Sequence, residues 1–338
     1  MASTEPEDLE PPLKRMKTEL QRDSDYWFKS GNVVMVASNT VAYRVHSELL
    51  GRKSKVFKDL LDHDAPQPKD QELMDGCPVV HVSDAADHFS TFLMLIYDGW
   101  RYRDEGGYIE WGVIKVMLLL GDKYDCPEFR TQAIKHLQLT FPADISDWDS
   151  RQPLIQVSPE HAISMANLTR SSDTSGMHAI ALYLCCSLPI ATLMAGVAGR
   201  AGDAESLCLE DLDRCLQGRE DLPKVWLDLH AKLFASPLPF HAKSGCVSGC
   251  EEVIEVMQGF CKESARRDLG PNIAYDIINR ARWRPVMMDA EKRGMCSRCM
   301  SFYEGRLLRM RQQFRDGLEK RFQYVRASSA YSDIIELV

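Results

Sequence analysis

Val33-Val34-Met35-Val36-Ala37, then Ser38-Asn39-Thr40, then Val41-Ala42-Tyr43-Arg44-Val45, is the stretch on which the fold turns. The first run is short, continuous and apolar, with many β-branched residues, and reads as a strand. Asn39-Thr40 is a turn signal and the second run follows at once, so the pattern predicts a β-hairpin with a two- or three-residue turn. His46 then stands at a strand-to-helix junction. From Ser47 onward, Leu49, Leu50, Val56, Phe57, Leu60 and Leu61 have helical spacing in two short pieces, with the break expected near Gly51.

Downstream, Pro66, Pro68 and Gly76 mark a loop, and residues 78–82 read as a third strand. Ser83-Asp84 is expected to cap a helix carrying Phe89, Phe92, Leu93 and Ile96 and stopping at Asp98-Gly99. A polar loop over 101–108 precedes a helix over 109–120 that ends at Gly121, and another helix starts after Pro127. Residues 150–236 read as helical throughout. They have a start signal at Ser158-Pro159-Glu160 and amphipathic helices over 207–216 and 222–234. A long basic helix is expected over 302–324. Upstream, residues 1–22 are rich in Glu, Pro, Lys and Thr and read as a disordered arm.

This order of elements over 25–140 resembles the BTB/POZ domain. The residues that carry the resemblance are Val33-Val34-Met35-Val36, Tyr43-Arg44-Val45-His46-Ser47-Glu48-Leu49-Leu50 and Ser54-Lys55-Val56-Phe57. Tyr26-Trp27-Phe28, Leu95-Ile96-Tyr97-Asp98-Gly99 and Leu119-Leu120-Gly121-Asp122-Lys123-Tyr124 are further similar to a large group of BTB proteins of mushroom-forming fungi, as are the C-terminal cysteine pairs. Two positions depart from the family pattern: Asn32 stands where Asp is common, and Ser47 where Arg or Lys often follows the histidine. The fold class expected is therefore α+β, a BTB/POZ domain over 23–145. An all-helical region over 146–236, a basic helical region over 237–326 with paired cysteines, and a tail over 327–338 complete the chain.

The resemblance implies interaction rather than chemistry: homodimerisation, and recruitment of a cullin ubiquitin-ligase scaffold or a transcriptional corepressor. Tyr26, Trp27 and Phe28, with His46, are the candidate interface residues, because a two-fold dimer needs a self-complementary apolar patch. The residues alone also allow a blander reading, in which two of the three aromatics complete the core. His46, beside Val45, Leu49 and Leu50, reads as a buried histidine satisfied by a backbone group rather than a catalytic or metal-binding one.

Cys246-x3-Cys250 and Cys296-x2-Cys299 are the sharpest local signal. Two thiols three or four residues apart can aim at one point, and two such pairs can close a tetrahedral structural zinc site. Gly245, Gly249 and Gly294 flank them, and residues 251–295 would have to make a helical excursion that returns. The alternatives are buried reduced cysteines packing as small hydrophobes, or redox chemistry or disulfides. His241 and Cys261 are the substitute ligands. Four cysteines leave no open position, so a catalytic zinc is not expected.

The 338 residues are 45% hydrophobic and 27% charged, an ordinary globular mix, with a net charge of −8 that argues against coating nucleic acid or an anionic membrane. The charge is uneven: residues 1–240 carry 24 basic and 36 acidic groups, and residues 241–326 carry 17 and 11. No run suits a membrane helix, and no secretory signal is visible, so an intracellular chain in nucleus or cytoplasm, with its eleven cysteines reduced, is expected. Lys14, Arg15 and Lys17 form a short import-like cluster or a solvated tail. Arg306, Arg309, Arg311, Arg315, Lys320, Arg321 and Arg326 could meet nucleic acid. The preferred reading pairs them with the acidic remainder of the chain, and nucleic acid is not an expected partner. Asp62-His63-Asp64 reads as a solvated loop, and the acids over 203–213 as a helix face. No phosphate-loop, dinucleotide, metalloprotease or hydrolase motif occurs, so no enzyme is expected. The remaining alternatives are a BTB-type transcriptional regulator and a scaffold with neither kind of partner.

Overall fold

The computed structural model describes residues 20–62, 71–104, 106–170, 174–198, 204–235, 246, 249–267 and 276–322. Residues Lys14, Arg15, Lys17, His63, Asp64, His241, Gly245 and the tail over 327–338 lie outside the described residues. The chain is mixed α+β and divides into two units, Met1–Gly99 and Trp100–Val338; the boundary expected after residue 145 falls inside the second.

In the first unit the hairpin forms as read: β2 (Val33–Ala37) and β3 (Val41–Val45) pair antiparallel from Val33↔Val45 to Ala37↔Val41. The turn holds Ser38 and Asn39 at φ 47° and 55°. The strand at 78–82 also forms, as β5 (Cys77–Val82), and runs parallel to β2 from Val34↔Val79 to Ala37↔Val82. Flanked on both sides, β2 buries all five residues, which is why its sequence is a continuous apolar run rather than an alternating one. Val34, Val36, Ala42, Cys77 and Val79 build the core of one sheet face. On the other, Tyr43 packs on Phe89, and Phe89 on Phe57 and Phe92.

Two strands were not expected from the sequence, and the first begins inside the arm expected over 1–22. β1 (Gln21–Trp27) is a polar edge strand parallel to β3, and β4 (Leu73–Met74) pairs with β5; the order is β1-β3-β2-β5-β4. Backbone bonds hold β1 in place, Gln21 N–H to Thr40 O at 2.9 Å and Phe28 N–H to Arg44 O at 2.9 Å, so its sequence need not be hydrophobic.

The helical pair is α1 (Ser47–Lys53) and α2 (Lys55–Leu60), and the break lies at Ser54, not Gly51. Ser54 is extended, and its hydroxyl accepts from the Phe57 N–H at 3.0 Å, a cap that starts the second helix. Gly51 stays helical; a Cβ there would meet Lys58 Cα at 3.2 Å, so its smallness serves the packing of the two helices. α3 (Ala86–Tyr97) stops as expected, but Ala85 holds the capping position instead of Ser83 or Asp84, without a side-chain cap.

The second unit is mostly helical but not wholly so. Ile109 is not helical: β6 (Ile109–Glu110) pairs parallel with β7 (Ile155–Gln156), and the following helix, α4, spans Trp111–Lys123 with Gly121 inside it. α5 (Pro127–Thr140), α6 (Ile145–Ser150), α7 (His161–Leu168), α8 (Ser175–Cys185) and α9 (Ile190–Ala195) follow, the last leading into a second two-residue pair, β8 (Val197–Ala198) with β9 (Ala204–Glu205). The two helices expected over 207–234 are one, α10 (Leu209–Leu233), which runs through Pro223. An interior proline costs a helix about 3 kcal/mol. The buried stripe Leu222, Trp226, Leu229 and Leu233 offsets it. α11 (Cys250–Arg267), α12 (Arg280–Lys292), α13 (Ser297–Asp316) and α14 (Leu318–Arg321) complete the described chain. The long basic helix thus starts at 297 and breaks at Gly317. No described helix is long and apolar enough to cross a membrane.

Candidate metal centre

The two cysteine pairs, 46 positions apart from Cys250 to Cys296 in sequence, meet in space. The sulfurs of Cys246, Cys250, Cys296 and Cys299 all lie within 4.8 Å of one another. Cys246 and Cys299 Sγ are 3.4 Å apart, and Cys250 Sγ accepts from the Cys296 backbone N–H at 3.3 Å. A tetrahedral zinc with Zn–S bonds of ~2.3 Å places its sulfurs ~3.8 Å apart, so the cluster has the span such an ion requires. None of the four is in a disulfide.

Local structure explains the convergence. Cys250 is the first residue of α11, Cys296 caps α13, and Cys299 lies in its first turn. Two helix N-termini therefore face the sulfurs with their positive ends, which favours thiolates. Gly249 and Gly294 have φ of +108° and +90°, a region closed to most side chains, and turn the chain into each pair. The expected excursion is α11 and α12. Burial pushes the Cys299 thiol well up, and its three thiol neighbours add to the shift. A divalent cation reverses that preference by taking up the thiolate charge. Four sulfurs fill a tetrahedral shell, so the ion they suit is structural. Cys261 is elsewhere, buried within α11, with its thiol pushed up to about 12 by burial.

The candidate interface residues of the first unit make an intramolecular cluster. Tyr26 is buried and its hydroxyl donates to Asp98 Oδ2 at 2.9 Å; Phe28 stacks on Tyr97 at 4.9 Å and packs on His46 at 5.4 Å. The partners of the His46 ring are hydroxyls rather than backbone groups: Ser30 Oγ lies 3.0 Å from Nε2 and Tyr97 Oη 3.0 Å from Nδ1. Trp27 is half-buried on the opposite sheet face, beneath the Arg22 guanidinium at 4.7 Å. Asn32 and Ser47 are partners of each other. Asn32 Oδ1 accepts from the Ser47 N–H at 2.8 Å, and Asn32 Nδ2 donates to Ser47 Oγ at 2.9 Å, so a neutral pair opens α1.

Sequence reading missed the buried charges of the second unit. Arg311, 1% exposed, grips Asp149 with both ends of its guanidinium, Nη1 at 2.7 Å and Nη2 at 2.5 Å, and its Nε donates to Ile278 O at 2.8 Å. Asp211, which the sequence places on an acidic face, is fully buried among Arg214 (2.7 Å), His178 (3.2 Å) and Arg170 (3.2 Å). Burial alone raises its carboxyl, but His178, Arg170 and Arg214 outweigh that and hold it below the usual range. The partners come from 33 and 41 positions earlier and from the next helical turn, a combination without a linear motif.

His230 is a further buried group. Its ring stacks on Trp283 at 4.3 Å, Nδ1 donates to Trp226 O at 3.0 Å, and Nε2 has no partner among the described residues. Burial pushes its pKa down to about 4. Because the folded value lies below the unfolded one of about 6.5, the unfolded chain binds the proton first. Stability is therefore full above about pH 6.5 and declines toward pH 4, by about 3 kcal/mol for this group. Urea unfolding at pH 7.5 and 4.5 should show that decline in the wild type and a smaller one in His230→Phe. Equal declines would mean that His230 is not the group that titrates.

Compared with known proteins, the chain matches no family model, no curated protein and no solved structure.

Proposed function

We propose that the protein is a non-catalytic interaction module of BTB/POZ type, whose first unit self-associates or docks a partner such as a cullin scaffold and whose second unit, closed by a structural zinc, presents another. The observation that carries the reading is the element order of the first unit. A hairpin delivers His46 to a pair of short helices, and β5 then returns parallel to β2 before α3. That is the arrangement the resemblance implies.

A dimer needs exposed apolar surface. Because Tyr26 and Phe28 are spent on the intramolecular cluster, the surface for self-association is sought on the helical pair. There Leu49 (38%), Val56 (39%) and Leu60 (56%) remain exposed. The zinc would hold α11 and α13 together and supplies no reacting position. The nucleic-acid alternative gains no support from the basic helix, since Arg311 and Arg315 are buried and Arg311 is paired with Asp149.

Light scattering of the full chain at micromolar concentration should give twice the 38.4 kDa of one copy, and Leu60→Asp should return it to one. Affinity purification should then recover a stoichiometric scaffold partner. A monomeric mass with no recovered partner would sink the proposal. Recovery of chromatin subunits without a cullin would favour the transcriptional reading.

A further inference from the structure

We infer that the second unit contains a binding site for a small phosphate-type oxyanion, built around Arg315 and Arg151. The site is a cavity of about 1050 Å³ bordered by α5, α6, α8 and the C-terminal end of α13. It shares no residue with the cysteine cluster.

Arg315 is 6% exposed and lines this cavity. Its Nε is buried with no hydrogen-bond partner, and no carboxylate forms an ion pair with it among the described residues. Arg311, one helical turn earlier, is also buried but holds Asp149 in a two-pronged bond. The contrast matters because a buried N–H without an acceptor is destabilising. Native interiors rarely tolerate such a group unless water, an ion or a ligand completes it.

A second arginine faces the same space. Arg151 is half-buried, its guanidinium lies over Trp148 at 4.0 Å, and one Nη donates to Trp148 O. Its Nε is likewise buried and unpartnered. Trp148 thus fixes the plane of a fork whose remaining donors are unused. Forked guanidinium donors match the paired oxygens of phosphate. Exposed Lys135 also borders the cavity, and so does the first turn of α8, through Gly176 and Met177.

The carboxylates present refine the ligand. Asp147, Asp316 and Glu319 line the cavity too, and Glu319 Oε1 lies 2.9 Å from where a Cβ on Gly176 would stand. A ligand with acceptor oxygens alone would satisfy the arginines and repel these acids. Hydrogen phosphate, or a phosphate monoester with a hydroxyl nearby, offers acceptors to the arginines and an O–H to a carboxylate.

The test is calorimetric titration of the full-length protein with inorganic phosphate, against sodium chloride of equal ionic strength. Wild-type protein should bind saturably. Arg315→Gln and Arg151→Gln should each bind about tenfold more weakly, the loss of one charge-assisted fork. At ten times its Kd, phosphate should raise the wild-type melting temperature by about 4 °C beyond the chloride control. Absence of wild-type binding at about 20 mM phosphate, far above a specific two-arginine site, would overturn the inference. So would folded variants that bind as the wild type does. Should Arg315→Gln fail to fold, the more exposed Arg151→Gln decides the matter alone.

Discussion

Cys299→Ser, or removal of metal with a strong chelator, is expected to destabilise the second unit by at least about 5 kcal/mol, the largest effect of any single change considered. Structural zinc contributes apparent binding energies of about 10–16 kcal/mol in small peptides, all of it folding energy. Some of that is offset here, because α11 and α13 also bury Ile254, Met257, Tyr303 and Leu307 without help from a metal. Protein purified without chelator should carry one zinc per chain by elemental analysis. Chelation should then quench the near-ultraviolet dichroism of buried Trp226 and Trp283. If the chain carries well under one zinc and Cys299→Ser unfolds at the wild-type urea concentration, the four thiols are small hydrophobes that happen to meet.

The second large effect belongs to the buried ion pair. Arg311→Met should cost about 3–5 kcal/mol, because Asp149 is left with a partly buried charge and the Ile278 carbonyl loses its donor. Asp149→Leu alone should cost a similar amount, since it strands the guanidinium. The double variant Arg311→Met/Asp149→Leu should recover much of the loss, as apolar replacements of buried ion pairs are often neutral. Urea denaturation with unchanged m values measures all three. Additive losses in the double variant would mean that the two side chains act independently.

These effects sit where the linear sequence is least informative. The hairpin, the third strand and α3 were legible because each buries a local run or stripe, and periodicity reports burial directly. The cysteine pairs were legible because two thiols stand three or four positions apart at each end. β1 was not, since an edge strand held by main-chain bonds to Thr40 and Arg44 carries no hydrophobic signature. The break at Ser54 was misplaced because Gly is the stronger breaker by propensity, whereas a hydroxyl cap on Phe57 decided the local outcome. Pro223 suggested two helices where tertiary packing makes one. Asp211, Arg311 and Arg315 share residue types with any solvated helix face. Only the contacts distinguish a paired buried charge from an unpaired one.

The cysteine cluster also has a consequence for the order of events during synthesis. Joining position 250 to position 296 through one ion makes a ring of some 47 residues, and closing such a ring in advance removes about 4 kcal/mol of disorder from an unfolded chain. A ribosome delivers Cys246 and Cys250 first, then all of α11 and α12, and only afterwards the turn of α13 that bears Cys296 and Cys299. Until that turn emerges, the first pair can hold an ion with only half of its shell. A metal held by all four sulfurs would thus work as a completion check, withholding its stabilisation from α11 and α12 until the start of α13 has been made.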